Sequence, residues 1–131
     1  DNPWDIKYVR GGLVDIEFIA QYLALTRASE ICCSGHSGTA DSLRALRDAG
    51  ILTADQGDAL AVAHAYYTDV MQLIAAACLS GPLPAGLSKA LAAHLPTVMG
   101  EADLNAVEFT LRRLQGVVQN IFDDVIGMSK P

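Results

Sequence analysis

The sequence is short of charge, of basic residues in particular, of aromatic rings, of cysteine and of long apolar runs. Nine Lys and Arg stand against fifteen Asp and Glu, a formal net charge of −6. Nucleic-acid phosphates would repel such a chain, which argues against nucleic acid as a partner. No apolar run approaches the ~20 residues needed to cross a bilayer, and no secretory leader pattern opens the sequence. We therefore expect a cytoplasmic protein with no membrane partner. The three cysteines, Cys32, Cys33 and Cys78, are odd in number and lack a Cys-x-x-Cys spacing. A zinc ribbon thus has no basis, and free thiols are expected. His36, His64 and His94 are isolated from one another, and no metal site is expected. Gly35-His36-Ser37-Gly38 is one residue short of a nucleophile elbow and follows a helical pattern rather than a strand. A Gly-x-x-x-x-Gly-Lys-Ser/Thr phosphate loop is absent as well.

What is present is helix. With 131 residues, 51% of them hydrophobic, the chain can bury one core but not two. It opens on Asp1 rather than Met, and we expect it to be a segment of something longer. A first helix is predicted over 13–31 or 13–33, with Leu13, Ile16, Ala20 and Leu23 as its apolar stripe. A Ser- and Gly-rich loop follows over 34–39. The next helix, from 39 or 41 to 49, turns Leu43 and Leu46 inward and ends at Gly50 in a left-handed conformation. Thr53-x-x-Gln56 is a capping box opening a helix over 53–80, terminated by Gly81-Pro82. Its stripe is Leu60, Ala63, Tyr67, Val70, Ile74 and Ala77, and much of its remaining surface is apolar too, which predicts a central position. Pro82, Pro84, Gly86 and Pro96 bracket a short helix over 87–95. The last helix, over 104–125, is capped by Asp103 and ended by Gly127. Its seam of Leu104, Val107, Leu111, Leu114, Val118, Ile121 and Val125 suits packing within a bundle, with coiled-coil dimerisation as the rival. Arg112 and Arg113 are expected in solvent. The reading is all-α: one helical domain over 1–131, a bundle of about five helices over 13–127 with a short extended lead-in over 1–12.

The chain is organised around the residues that open the first helix. Ile6, Tyr8 and Val9 are strand-prone, and Lys7 and Arg10 interleave with them. Gly11-Gly12 allows a sharp turn and a close approach to the backbone. A helix that opens after glycines offers free N–H groups and the positive end of its dipole to an anion such as phosphate, and Lys7 adds a point charge. A purely structural reading stands beside this one: strand, turn and helix with no ligand, Asp15 stabilising the dipole from the first turn. Asp15 and Glu17, two residues apart, point in nearly opposite directions and cannot form a paired-carboxylate site. Trp4, the single tryptophan, is expected to mark a surface that packs on an upstream domain.

Taken together, Lys7-x-x-x-Gly11-Gly12-Leu13-x-Asp15-Ile16-Glu17-Phe18-x-x-Gln21-Tyr22 resembles the segment after the catalytic core in the glutamine synthetase adenylyltransferase family. Members of that family attach AMP to glutamine synthetase and remove it. A looser form of the motif is similar to a segment of the PII uridylyltransferases, but Ile16-Glu17-Phe18 and Gln21 fit the adenylyltransferases better. Weaker likeness continues through 43–52 and the helices beyond.

The resemblance implies the helical domain that follows the nucleotidyltransferase core in the C-terminal, adenylylating half of such an enzyme. It implies ATP and Mg2+ in the parent, and three partners: the upstream core, glutamine synthetase and the PII signal protein. It also implies that Lys7, Gly11, Gly12 and Asp15, with Glu17 and Gln21, border the nucleotide site. Lys7 and the amides of Gly11, Gly12 and Leu13 would meet phosphate oxygens; Asp15 would meet Mg2+, a ribose hydroxyl or a basic side chain. The family's metal-binding carboxylates come from a Gly-Ser turn with Asp-x-Asp, which this chain lacks, and the adjacent pair Asp123-Asp124 on a helix is no substitute. No catalytic residue, metal ligand or bound cofactor is therefore expected in this fragment, which alone should be inactive. The alternative is a non-catalytic helical docking module for glutamine synthetase or the PII regulator.

Overall fold

The computed structural model describes residues 2–27, 38–78 and 89–127. Among them the chain forms α1 (Leu13–Thr26), α2 (Thr39–Asp48), α3 (Ala54–Cys78), α4 (Lys89–Val98) and α5 (Leu104–Gly127), with no strand. None of these helices is long and apolar enough to cross a membrane. The all-α reading holds.

Local chemistry sets most of the boundaries. The Thr53 hydroxyl accepts from the Gln56 amide at 3.0 Å, and the Gln56 side chain accepts from the Thr53 amide at 3.2 Å, which is the reciprocal capping box. Asp103 caps α5 by accepting from the Ala106 amide at 2.8 Å. At the end of α2, Gly50 takes φ +78° and donates to Arg47, while Ile51 donates to Leu46. That pair of bonds is a Schellman closure.

The same closure ends α4 and corrects the sequence reading there. Gly100 (φ +72°) donates to Thr97, and Glu101 donates to the Pro96 carbonyl at 2.8 Å, so the helix runs through Pro96 to Val98. Pro96 removes one donor, but it sits close enough to the C-terminal end for the turn after it to be closed by Gly100. A second correction concerns α1, which ends at Thr26 rather than at 31 or 33. Arg27 leaves helical geometry (φ −122°) while its amide still donates to Leu23. The Ser34–Ser37 part of the predicted loop, the thiols of Cys32 and Cys33, the helix start at Leu87, the Gly81-Pro82 stop and the tail after Gly127 lie outside the described residues, as does the side chain of Cys78.

Helix α3 touches each of the other four helices and is the centre of the bundle. Leu60, Ala63, Tyr67 and Val70 are fully buried along it. Val107, Leu111, Leu114, Val118 and Ile121 of α5 are buried against this chain's own core, together with Ile16, Ile19, Ala20 and Leu23 of α1. The seam of α5 is thus spent within the domain, which removes the argument for a coiled-coil dimer. Each Val, Leu or Ile among them contributes ~1.5–3 kcal/mol on burial.

The lead-in is not extended. Tyr8 and Val9 both donate to the Asp5 carbonyl, at 3.1 and 2.8 Å, so residues 5–9 wind into a single helix-like turn. Ile6 is buried and Tyr8 is exposed, as alternation would have it, but no neighbouring strand is there to accept the ladder bonds. The backbone satisfies itself locally instead. Trp4 corrects another expectation. It is half-buried against this domain's own core, and its indole N–H donates to Glu108 on α5 at 2.9 Å.

Candidate functional site at the Gly11-Gly12 turn

Beside the bond from Trp4 to Glu108, three carbonyls of the lead-in accept bonds from side chains of the bundle, and one glycine makes a close approach. The buried Gln115 of α5 donates to the Pro3 carbonyl at 2.9 Å, and Gln119, one turn on, donates to the Arg10 carbonyl at 3.0 Å. The buried Tyr67 of α3 donates its hydroxyl to the Gly11 carbonyl at 2.8 Å. Gly11 adopts φ +81° and lies directly on the backbone of Gln115, where any Cβ would collide with the Gln115 carbonyl. A Cβ on Gly12 would collide with the carbonyls of Ile6 and Val9. Two adjacent glycines are therefore required by contact, the first by conformation as well.

The turn consumes the donors that were expected to face a phosphate. The Gly11 amide donates to the Asp15 carboxylate at 2.7 Å, Gly12 to Val9 at 2.8 Å, Leu13 to Ile6 at 2.9 Å and Val14 to Lys7 at 3.0 Å. The positive end of α1 is capped from within, by carbonyls of the preceding turn and by one carboxylate. Asp15, half-buried, meets a backbone amide rather than a basic side chain. Burial, with the negative charge of Asp15 second, pushes the Tyr67 phenol far above its ordinary value of 10.0. Tyr67 is thus held as a permanent donor to Gly11.

Of the residues singled out from sequence, Gly11, Gly12 and Asp15 come together as one hydrogen-bonded unit. Lys7 joins that unit through its carbonyl, while its ammonium stands exposed over the Tyr8 ring at 5.5 Å from the centroid. Lys7 also edges an apolar hollow of about 280 Å3 formed by Trp4, Ile6, Met71, Ile74 and Ala75. Glu17 (half-buried) and Gln21 (exposed) follow on α1, one helical turn apart. Val14, Phe18 and Leu25 add exposed apolar surface to α1, and Tyr8 does so on the lead-in, at 71% exposure. Sequence reasoning missed Gln115, Gln119 and the hydroxyl of Tyr67. The available signal was a glutamine, Gln115, inside an otherwise apolar seam between Leu114 and Val118. Among the described residues, no group of three or more His, Cys, Asp or Glu is placed to hold a metal ion.

A helical bundle whose first helix opens on a buried Gly-Gly turn clamped by Asp15 is the class that these features define. The model of the GlnD PII-uridylyltransferase family matches residues 2–123, and the chain belongs to that family. The curated relatives carry the other anticipated name. The bifunctional glutamine synthetase adenylyltransferase/adenylyl-removing enzyme of Rhizobium meliloti (strain 1021) is 38% identical over 127 residues, 95% of this chain and 13% of that protein. Those of Rhodopseudomonas palustris (strain BisB5) and Agrobacterium fabrum are each 33% identical, over 97% and 96% of this chain. The chain thus spans 13% of the length of these relatives. No solved structure matches it.

Proposed function

We propose that this bundle is the helical domain of an enzyme that transfers AMP from ATP to glutamine synthetase and removes it again, and that it walls one side of a nucleotide site supplied by a catalytic core elsewhere in the polypeptide. The observation that carries the reading is the 38% identity over 95% of the chain with an enzyme of that name. The geometry supports a division of labour at the turn. Gly11, Gly12, Asp15 and Tyr67 hold the lead-in in place, and Lys7 is the residue of the group with a free charge to offer a phosphate oxygen. Glu17 and Gln21 stay at the margin of the proposed site. Mg2+ would neutralise phosphate charge during transfer, but no ligand set for it exists among the described residues, so its ligands belong to the core in this reading. The PII signal protein, ATP and a cytoplasmic setting come with the same proposal.

Adenylyl transfer by the whole enzyme tests it. Lys7→Ala should lower kcat/KM for ATP by about tenfold, the loss of one charge-assisted phosphate contact, without altering thermal stability. Unchanged transfer would remove Lys7 from the site. The docking-module reading has its own support in the exposed Phe18 and Leu25 of α1. It requires that the 131-residue chain bind glutamine synthetase or the PII protein unaided, which a pull-down decides.

A further inference from the structure

We infer that the outer face of α1 seats a basic amphipathic helix from elsewhere in the same polypeptide. The inference rests on the reading that this chain is one domain of a longer enzyme, since it spans 13% of the length of its relatives. Helix α1 is apolar on two opposite sides. Ile16, Ile19, Ala20 and Leu23 are buried in the core, while Val14, Phe18, Gln21 and Leu25 all stand exposed, Phe18 at 46% and Leu25 at 82%. At ~100° of turn per residue the two sets lie about 180° apart around the helix. Two further rings widen the outer set. Phe18 stacks on Tyr22 at 6.0 Å between centroids and leans on Phe122 of α5 at 5.7 Å. A helix that is apolar on both sides needs cover on both, and an exposed apolar patch of this kind marks an interaction surface.

The spacing of the outer set specifies a helix as occupant. Val14, Phe18, Gln21 and Leu25 follow one another at intervals of four, three and four, the rhythm of a helix–helix seam, here ~16 Å long. In such a seam the charged residues on either flank select the partner. Asp15 and Glu17 are those residues here, and α1 contains no Lys or Arg. Glu17 is half-buried and has no ion-pair or hydrogen-bond partner among the described residues. Beyond Phe122, the exposed Asp123 and Asp124 extend the acidic margin. The basic residues nearby do not offset it. Arg10 is paired with Asp123 at 3.6 Å, and Arg27 stands past the end of the stripe, at a hollow that it shares with Asp124. The complementary surface is a helix with apolar anchors at every third or fourth residue and Lys or Arg beside them.

Charge and area decide where that helix comes from. A second copy of this chain would set Asp15 and Glu17 against their own counterparts, with a net charge of −6 on each side, and like charges across a seam repel. A separate protein faces a different obstacle. One helix laid along ~16 Å of α1 buries far less than the ~800 Å2 per partner of a stable complex. A segment tethered in the same polypeptide escapes that limit, because a short linker supplies an effective concentration in the millimolar range. Phe18 and Leu25, which the docking-module reading also uses, are thereby assigned to the enzyme itself.

Photo-crosslinking in the intact enzyme is the test. Benzoylphenylalanine is placed at position 25, where Leu25 is exposed and its loss leaves the core untouched, and the product is mapped by mass spectrometry. The expected result is an internal cross-link, in a product of monomer mass, to a helical segment outside these 131 residues that carries Lys or Arg beside its apolar positions. Glu17→Lys should lower the yield severalfold by reversing a flanking charge, and Glu17→Gln should lower it less. Hydroxyl-radical labelling gives a second readout without any substitution, and Phe18 should react severalfold more slowly in the intact enzyme than in the 131-residue chain. A cross-link to a second copy, to a separate protein or to an acidic segment would overturn the inference. So would a yield indifferent to Glu17→Lys, or a Phe18 equally reactive in both forms. Cross-linking is read without ATP or glutamine synthetase, so unchanged adenylyl transfer in Lys7→Ala leaves this inference standing. Absence of the cross-link, with transfer lowered in Lys7→Ala, removes this inference alone.

Discussion

Replacing Gly11 by alanine adds a single methyl group at a residue with φ +81°, aimed at the backbone carbonyl of Gln115. Holding a residue with a Cβ in the left-handed region costs ~1–2 kcal/mol. Relief of the collision means lifting the turn from α5. That stretches the bond from Tyr67 to the Gly11 carbonyl, now 2.8 Å, and the one from the Gly11 amide to Asp15, now 2.7 Å. The first is worth ~1 kcal/mol and the second, to a charged acceptor, ~1.5–3 kcal/mol. The sum is roughly 3–6 kcal/mol, a large part of the ~5–15 kcal/mol that stabilises a typical domain. At this chain length the melting temperature falls by roughly 4 °C for each kcal/mol, or roughly 12–24 °C in all. Gly50 supplies the control: its φ is +78°, but nothing lies within 4 Å of an added Cβ. Gly50→Ala should therefore show the conformational cost alone, roughly 4–8 °C. Differential scanning calorimetry of the two variants separates the terms. Equal losses in Tm would refute the claim that the turn is seated on α5 by direct backbone contact.

Other outcomes follow from the same contacts. Tyr67→Phe keeps the buried ring and removes only the bond to Gly11, and should destabilise by ~1 kcal/mol in urea melts. Thr53→Ala should cost α3 ~1 kcal/mol, measured the same way, through loss of half the capping box. Glu101 accepts from the Thr110 hydroxyl at 2.6 Å and from Tyr66 at 2.7 Å, and these bonds, Thr110 first, hold its carboxyl below the ordinary 4.5. A carboxylate with a depressed folded pKa stabilises above its unfolded pKa and loses that contribution as pH falls through the folded one. Acid titration of stability should therefore steepen below pH 4.5, and Glu101→Gln should flatten that limb. Tyr67 works in the other direction. Its phenol is raised above 10.0 by burial, so its contribution is complete below that pH and lost in more alkaline solution, an effect that Tyr67→Phe abolishes.

Helix boundaries fixed by local chemistry were legible in the sequence, because the groups that cap a helix lie within a few residues of the donors they satisfy. Thr53 with Gln56, Asp103 and Gly50 all behave as their spacing says. The stripes of α3 and α5 were legible for a similar reason, since periodicity reports burial directly. Pro96 misled because the turn that rescues the helix after it depends on Gly100, four residues on. The lead-in misled more deeply. Ile6 and Tyr8 alternate as a strand would, yet the partners that decide their conformation are the amides of Leu13 and Val14, seven residues ahead, and Gln115 and Gln119, more than a hundred residues away. The Gly-Gly turn showed the same limit. Its two glycines allow a sharp turn and a close approach, by a ligand or by the protein itself, and in the structure the backbone of α5 and the carbonyls of the preceding turn make that approach. A motif of this kind reveals that something approaches the backbone closely, without saying what.

The central claim is that the turn is a mounting and that Lys7 is the part of it that faces a nucleotide. An acyl-phosphate derivative of ATP, which transfers its label to lysines beside the bound phosphates, tests this directly on the intact enzyme, with labelled peptides identified by mass spectrometry. Labelling of Lys7 that excess ATP suppresses is the result expected. Lysines elsewhere in the enzyme labelled and protected by ATP, with Lys7 unmodified, would contradict it.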